Sequence, residues 1–232
     1  MKTLTLITLV LLFLTFCATA FAGESQLKKA TNVLNEIMGT PDKAIPGELL
    51  ERAVCVGIVP SQWKFALGFG GTYGRGVLVC RKGGNGAWDA PSMFTLGAAS
   101  IGFQIGGKAT DVVFLVMNPE GAKKLVQDSV KLGAEASVAA GPVGRSAEGA
   151  TDAQLHAEIL SYSRTRGLFA GVSLDGAVLK QDGDDNQKLY GREVSAKEIL
   201  IDGTVGTPRS AQGLNSALTK YSPKGGQAFD RV

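Results

Sequence analysis

Between Ala53 and Met117 the chain is a succession of short apolar runs broken by glycine, and no other feature restricts its fold as much. Val54–Val59, Phe65–Phe69, Gly76–Val79 and Phe94–Ile105 have the length and content of strands. Asp111–Met117, DVVFLVM, is the strongest of them. Strands that arrive in runs, without helices between them, fit an α+β domain better than a doubly wound parallel sheet. Helical spacing lies on the flanks. Glu24–Met38 repeats apolar residues at Leu27, Ala30, Val33, Leu34, Ile37 and Met38, and Gly39 and Pro41 end it. Pro46–Arg52 reads as a short helix with Pro in its first turn, and Asn118-Pro119-Glu120 opens another that runs to Gln127. Further on, Glu135–Ala140 and Leu168–Leu174 read as strands, and Asp175-Gly176 as a hairpin turn to a partner at Ala177–Lys180. Asp184–Tyr190, Ser195–Leu200 and Ala211–Tyr221 read as helices. Neither a linker nor a repeat is visible. The expected fold is one α+β domain, an antiparallel twisted or barrel-like sheet with flanking helices.

The first 22 residues read as a secretory signal peptide. Lys2 supplies the positive start, Leu4–Phe16 the apolar stretch and Ala20-Phe21-Ala22 the small-x-small cleavage signal. An uncleaved anchor is the alternative. Lipidation at Cys17 would want a small residue before it, and Phe16 is not one. The organisation is then signal peptide 1–22, domain 23–222 and a polar, Gly-rich, flexible tail 223–232. The expected location is secreted or periplasmic, associated with the cell envelope. Cleavage leaves Cys55 and Cys80, both in strand-like runs of a chain bound for an oxidising compartment. They can form a disulfide if their strands are neighbours, and two buried free thiols are the alternative. Two Cys and one His, His156, cannot build a zinc site of the usual kind, so no metal or cofactor is expected.

A net charge of +3 over 232 residues does not announce nucleic-acid binding. It hides an asymmetry. From Arg52 to Thr110 the bases Arg52, Lys64, Arg75, Arg81, Lys82 and Lys108 face a single acid, Asp89. Trp63, Phe65, Phe69, Tyr73 and Trp88 are interleaved with them. Bases beside aromatics suit an anionic lipid surface, where each Lys or Arg contributes ~1 kcal/mol and aromatic rings sit at the interface. The alternative is a solvated charged face over core aromatics.

Other motifs point elsewhere and are incomplete. Gly102–Lys108 matches G-x-x-x-x-G-K, but Ala109 stands where a phosphate loop needs Ser or Thr, and no helix is expected to follow. Asp182, Asp184, Asn186 and Glu193 have calcium-loop spacing, but Gln187 stands where the sharp turn needs Gly. An acidic helix start explains them as well. A Ser-His-Asp triad would have to use His156, and the chain has no G-x-S-x-G elbow.

Three segments carry a signature together. They are Gly68–Val79 (GFGGTYGRGVLV) followed by Trp88–Pro91; Gly102–Val113 (GFQIGGKATDVV); and Ala139–Arg145 (AAGPVGR) with Ser161–Gly176 (SYSRTRGLFAGVSLDG). In this order they resemble the SYLF (Ysc84-type) lipid-binding domain over Leu27 to Tyr190, here read as an exported, bacterial-type member. The resemblance implies a non-enzymatic module for phosphoinositides, such as phosphatidylinositol phosphates, and other anionic lipids, and it carries over no catalytic residue. Eukaryotic members also bind actin beside SH3 or FYVE domains. For an exported chain actin enters only by that resemblance, since the two meet only if the protein reaches a host cell. The implied lipid-binding residues are Arg75, Arg81, Arg145, Arg164 and Arg166, with Lys82 adjoining. The implied membrane-contact helix presents Leu27, Leu34, Ile37 and Met38. Two rival readings remain at this point: a self-associating envelope structural protein without a lipid ligand, and a hydrolase using His156.

Overall fold

The separate apolar runs join into strands longer than their breaks suggest. The computed structural model describes residues 21–39, 44–67, 69–101, 108–144, 156–165 and 168–223. Its strands are β1 (Cys55–Leu67), β2 (Phe69–Arg81), β3 (Trp88–Ile101), β4 (Lys108–Val116), β5 (Ser129–Lys131), β6 (Val138–Ala140), β7 (Ile159–Thr165), β8 (Leu168–Gly171) and β9 (Val178–Gln181). They form one curled sheet, a half-barrel, in the order β5-β9-β3-β2-β1-β4-β7-β6, with β8 also paired to β7. The helices are α1 (Phe21–Met38), α2 (Gly47–Arg52), α3 (Pro119–Leu125), α4 (Gly183–Tyr190), α5 (Ala196–Leu200) and α6 (Gln212–Tyr221). Among them, no helix is long and apolar enough to cross a membrane.

Local chemistry explains the helix starts. Asn118 accepts the Gly121 N–H ahead of Pro119, and Asp182 accepts the Asp185 N–H. Ser195 and Glu198 make a reciprocal capping box. Two of the residues with calcium-loop spacing have structural tasks: Asp182 is a cap, and Asn186 is buried, accepting the Met93 N–H and donating to Ser92. No group of three or more metal-ligating side chains occurs among the described residues.

Three expectations change. The sheet is mixed, because β6 runs parallel to β7. The turn at Asp175-Gly176 does not close a hairpin: β9 pairs with β3 and β5, on the far side of the sheet from β8. Burial of Leu179 decides this over the local turn signal. The sequence reading also has no counterpart for β7, a central strand. Its residues Ile159, Leu160, Ser161 and Tyr162 are all buried, since both faces of the sheet are covered.

That double cover organises the molecule. On one face Val59, Leu78, Phe94, Leu96 and Phe114 pack with Ala122 and Leu125 of α3 and Ile199 and Leu200 of α5. On the other, Val56, Ile58, Val77, Val79, Val113 and Leu115 pack with Leu27, Leu34 and Ile37 of α1 and Leu214 and Leu218 of α6. Cys55 and Cys80 are direct cross-strand partners of β1 and β2, buried and joined by a disulfide 25 residues apart in sequence. We predict that Cys55→Ala with Cys80→Ala lowers unfolding stability in denaturant titration by about 3 kcal/mol, the scale of a loop closure of this length. A loss near zero would show that the bond does not constrain the unfolded chain.

Candidate ligand-binding surface

Among the described residues, the cations singled out in the sequence, Arg75, Arg81, Lys82 and Arg164, do not converge. Arg81 ends β2 with only 1% of its surface exposed. Its Nε donates to the Ala53 carbonyl (3.3 Å), one terminal nitrogen to the Gly86 carbonyl (3.2 Å), and the other to the carbonyl (2.9 Å) and hydroxyl of Ser222. The guanidinium lies 4.0 Å above the Trp88 ring. Burial brings its pKa down to about 10. This cation ties β2 to the α2–β1 connection, the β2–β3 turn and the end of α6. It is not presented to a ligand, and Trp88 is covered with it.

Arg75, in β2, is half exposed and faces the carboxylates of Asp185 (3.2 Å) and Asp182 (4.0 Å). A hydrogen bond with Tyr73, and then the charge of Asp185, hold its guanidinium more firmly protonated than usual. Arg164, in β7, donates to Asp111 at 3.0 and 2.7 Å and to Glu36 of α1. Burial works against its charge, but those two carboxylates outweigh burial and raise its pKa. Arg75 and Arg164 are three strand steps apart, about 14 Å, each with its own acids. Lys82 is exposed, with no ion pair among the described residues. Arg145 and Arg166 lie outside the described residues.

The apolar stripe of α1 is also occupied. Leu27, Leu34 and Ile37 are buried against the sheet and α6, and Met38 is half-buried beside them. While α1 is docked, this face is closed to a bilayer.

What the surface does offer is aromatic. Trp63 and Tyr73 are 53% and 50% exposed. They stand directly opposite each other on β1 and β2, past the Arg75 carbonyl that Gln26 of α1 holds. Leu168, 75% exposed, begins β8 opposite Thr165, and Thr165 is hydrogen-bonded to Thr110 at the same end of the sheet. The register sets Lys64 opposite Thr72 and Lys108, so two basic residues join this end of the half-barrel. Trp63 is there because β1 carries a bulge. Val59 pairs with Val112 and Gln62 with Thr110, so Pro60 and Ser61 stand against Asp111 alone, two residues against one. The extra residue reverses the alternation, turning Gln62 inward and Trp63 outward. Pro60, which has no N–H for the ladder, is the sequence signal for the bulge.

The remaining motifs serve the backbone. A Cβ on Gly171 would lie 2.0 Å from the Gly141 carbonyl oxygen, and one on Gly141 would lie 2.0 Å from the Tyr162 ring, so these two glycines allow close packing beside β7. Of the Gly-Lys motif, 102–107 lie outside the described residues, and Lys108 opens strand β4, not a helix. His156 is exposed and makes no hydrogen bond to Ser or Asp among the described residues, while nearby Glu158 is held by Lys124 (2.7 Å) and Ser137 (2.8 Å).

A helix-covered half-barrel with an aromatic end defines a small α+β domain class, and comparison with known proteins specifies it. The family described as "Ysc84: Las17-binding protein actin regulator" matches residues 97–221, more than half of the sequence, and the chain belongs to this Ysc84 (SYLF) family. "LAS seventeen-binding protein 3" of Saccharomyces cerevisiae is 35% identical over 216 residues, covering 88% of this chain and 46% of that protein. "Protein YSC84" of the same yeast is 36% identical over 200 residues, 82% of this chain and 42% of its own length. Human "SH3 domain-containing YSC84-like protein 1" is 32% identical over 214 residues, 87% and 61% respectively. The chain thus spans about half the length of the relatives it matches. These relatives are eukaryotic and are named as binding or SH3-containing proteins; they lend no support to a bacterial-type assignment.

The two neighbouring bases Arg81 and Lys82 should separate cleanly. Arg81→Glu leaves buried carbonyls unpaired and buries an acid, and should cost at least ~3 kcal/mol in denaturant unfolding. Lys82→Glu should leave the melting temperature unchanged. Equal, small effects would contradict the buried position of Arg81.

Proposed function

We propose that this chain is a non-enzymatic module that attaches an exported protein to anionic lipid surfaces, and that the contact is made by the Trp63–Tyr73 end of the half-barrel. The reading rests on one observation above all: two large aromatic side chains, cross-strand partners, stand half exposed at the end of the half-barrel. Tyr and Trp combine an apolar body with a polar edge and favour the membrane–water interface. The paired positions of Lys64 and Lys108 bring two positive charges to the same end of the sheet, an attraction for anionic head groups that salt screens. The family resemblance supports lipid as the ligand class, and the buried Cys55–Cys80 disulfide supports an oxidising compartment. Arg75 and Arg164 are engaged with carboxylates and are not free for head groups.

A protein partner is the second reading. It is favoured by the relatives named for Las17 binding and the family description as an actin regulator.

Titration with vesicles tests the first reading. The chain has two tryptophans and Trp88 is buried, so emission changes report Trp63. Phosphatidylserine-containing vesicles should shift the emission to the blue and sediment the protein. Pure phosphatidylcholine should do so weakly, and raised salt should reverse the effect. Trp63→Ser with Tyr73→Ser should weaken sedimentation about tenfold. Undiminished sedimentation of this double variant would remove the aromatic contact. Absent vesicle binding, together with co-sedimentation with filamentous actin, would transfer the assignment to the second reading.

A further inference from the structure

Ser61 is the one non-glycine residue with a positive φ, 54°, among the described residues. It sits in the bulge of β1, two positions before Trp63. A left-handed backbone at a residue with a Cβ is unfavourable, and it persists only where its surroundings hold it. Here they do. The Ser61 N–H, turned out of the ladder, donates to Asp111 Oδ1 at 2.9 Å. The other oxygen of that carboxylate, Oδ2, accepts two hydrogen bonds from Arg164, whose remaining terminal nitrogen reaches Glu36 on α1. On the neighbouring strand Gly74 leaves room for the bulge: a Cβ there would meet Val59 at 2.5 Å and the Gln62 Cα at 3.1 Å.

We infer that Asp111 and Arg164 are positioning residues for the aromatic surface. They hold the strained bulge at Ser61, and the bulge decides which face of the sheet Trp63 occupies. The inference rests on the aromatic pair being the ligand-contacting surface. A strand with a period of two has no other means of changing face than an inserted residue. Without the bulge, Trp63 would fall on the face of Cys55, Gly57 and Val59, and Gln62 would take its place outside. Asp111 thereby does in β1 what a ladder partner does elsewhere. Arg164 fixes the carboxylate in the orientation that leaves Oδ1 free for Ser61. Through Glu36 the same guanidinium joins the surface to the docked position of α1.

The test combines Asp111→Ala with Ser61→Gly in the full chain. Glycine adopts a positive φ without steric cost, so it should make Asp111 dispensable for the bulge. Two readouts are taken: iodide quenching of Trp63 fluorescence without lipid, and sedimentation with phosphatidylserine-containing vesicles. Asp111→Ala should reduce quenching and weaken vesicle binding about tenfold or more, the scale of one lost hydrogen bond to a charged group. Addition of Ser61→Gly should restore both. Arg164→Met should give a smaller loss of the same kind, also restored by Ser61→Gly.

Unchanged quenching in Asp111→Ala, or no restoration by glycine, overturns the inference, because a general loss of stability is not repaired at one backbone position. If the quenching pattern appears but the wild-type protein binds no vesicles, the positioning role stands and the lipid ligand falls.

Discussion

The double apolar cover of the sheet is the constraint on which the rest of this domain depends. Four long strands, β3-β2-β1-β4, carry apolar residues on both faces, and each face must be removed from water. The stripe of α1 closes one side and α3 with α5 the other. At roughly 25 cal/mol per Å² of apolar surface, neither face could be left open at small cost. This is why Leu27, Leu34 and Ile37 belong to the core. An amphipathic helix has one apolar face, and here the sheet has taken it.

The same economy of surface governs the arginines. A guanidinium offers five donors in a rigid fork, which suits phosphate but suits carbonyls and carboxylates as well. Arg81 satisfies buried carbonyls around the end of α6, Arg75 answers the acidic start of α4, and Arg164 bridges a strand carboxylate to a helix carboxylate. Each therefore has a structural task that explains its presence without a ligand. Lysine, with a flexible stem and a strongly hydrated ammonium group, suits a diffuse contact with a charged surface better than a fixed socket.

The proposed contact surface joins two features that neither strand supplies alone. Tyr73 lies on the outer register of β2 by ordinary alternation, whereas Trp63 reaches that register only through the irregularity at Pro60 and Ser61. An exposed aromatic pair at a sheet end costs solubility unless it has a partner, and a strained bulge held by a partly buried carboxylate is a costly way to arrange it. That both occur together favours function over accident. Membership of the Ysc84 family places the domain among proteins named for binding, while the long segments those relatives have beyond the shared part leave their partners specific to them.

Much of this was legible beforehand. The 3.6-residue spacing of α1, the Asn118-Pro119 start of α3 and the apolar run of β4 each announce themselves, because helix caps and periodic burial are set by residues close in sequence. Proximity of Cys55 and Cys80 depended on strand order, which pairing alone settles. For β7, Ile159–Thr165, the mix of Ser, Tyr and Arg concealed a strand whose first half is fully buried, since the Ser161 hydroxyl finds its partner, the Val172 carbonyl, only in the folded sheet. The basic segment was real as composition, but charge counts carry no direction. Whether an arginine meets water, a carbonyl or an acid from 53 or 128 residues away is decided by the register of strands and the docking of helices. The amino-acid sequence by itself determined the family, the element types and the apolar stripes; only the tertiary structure decided which cations were consumed internally and which aromatics stayed in water, because long-range pairing is a property of the closed sheet and of no single segment.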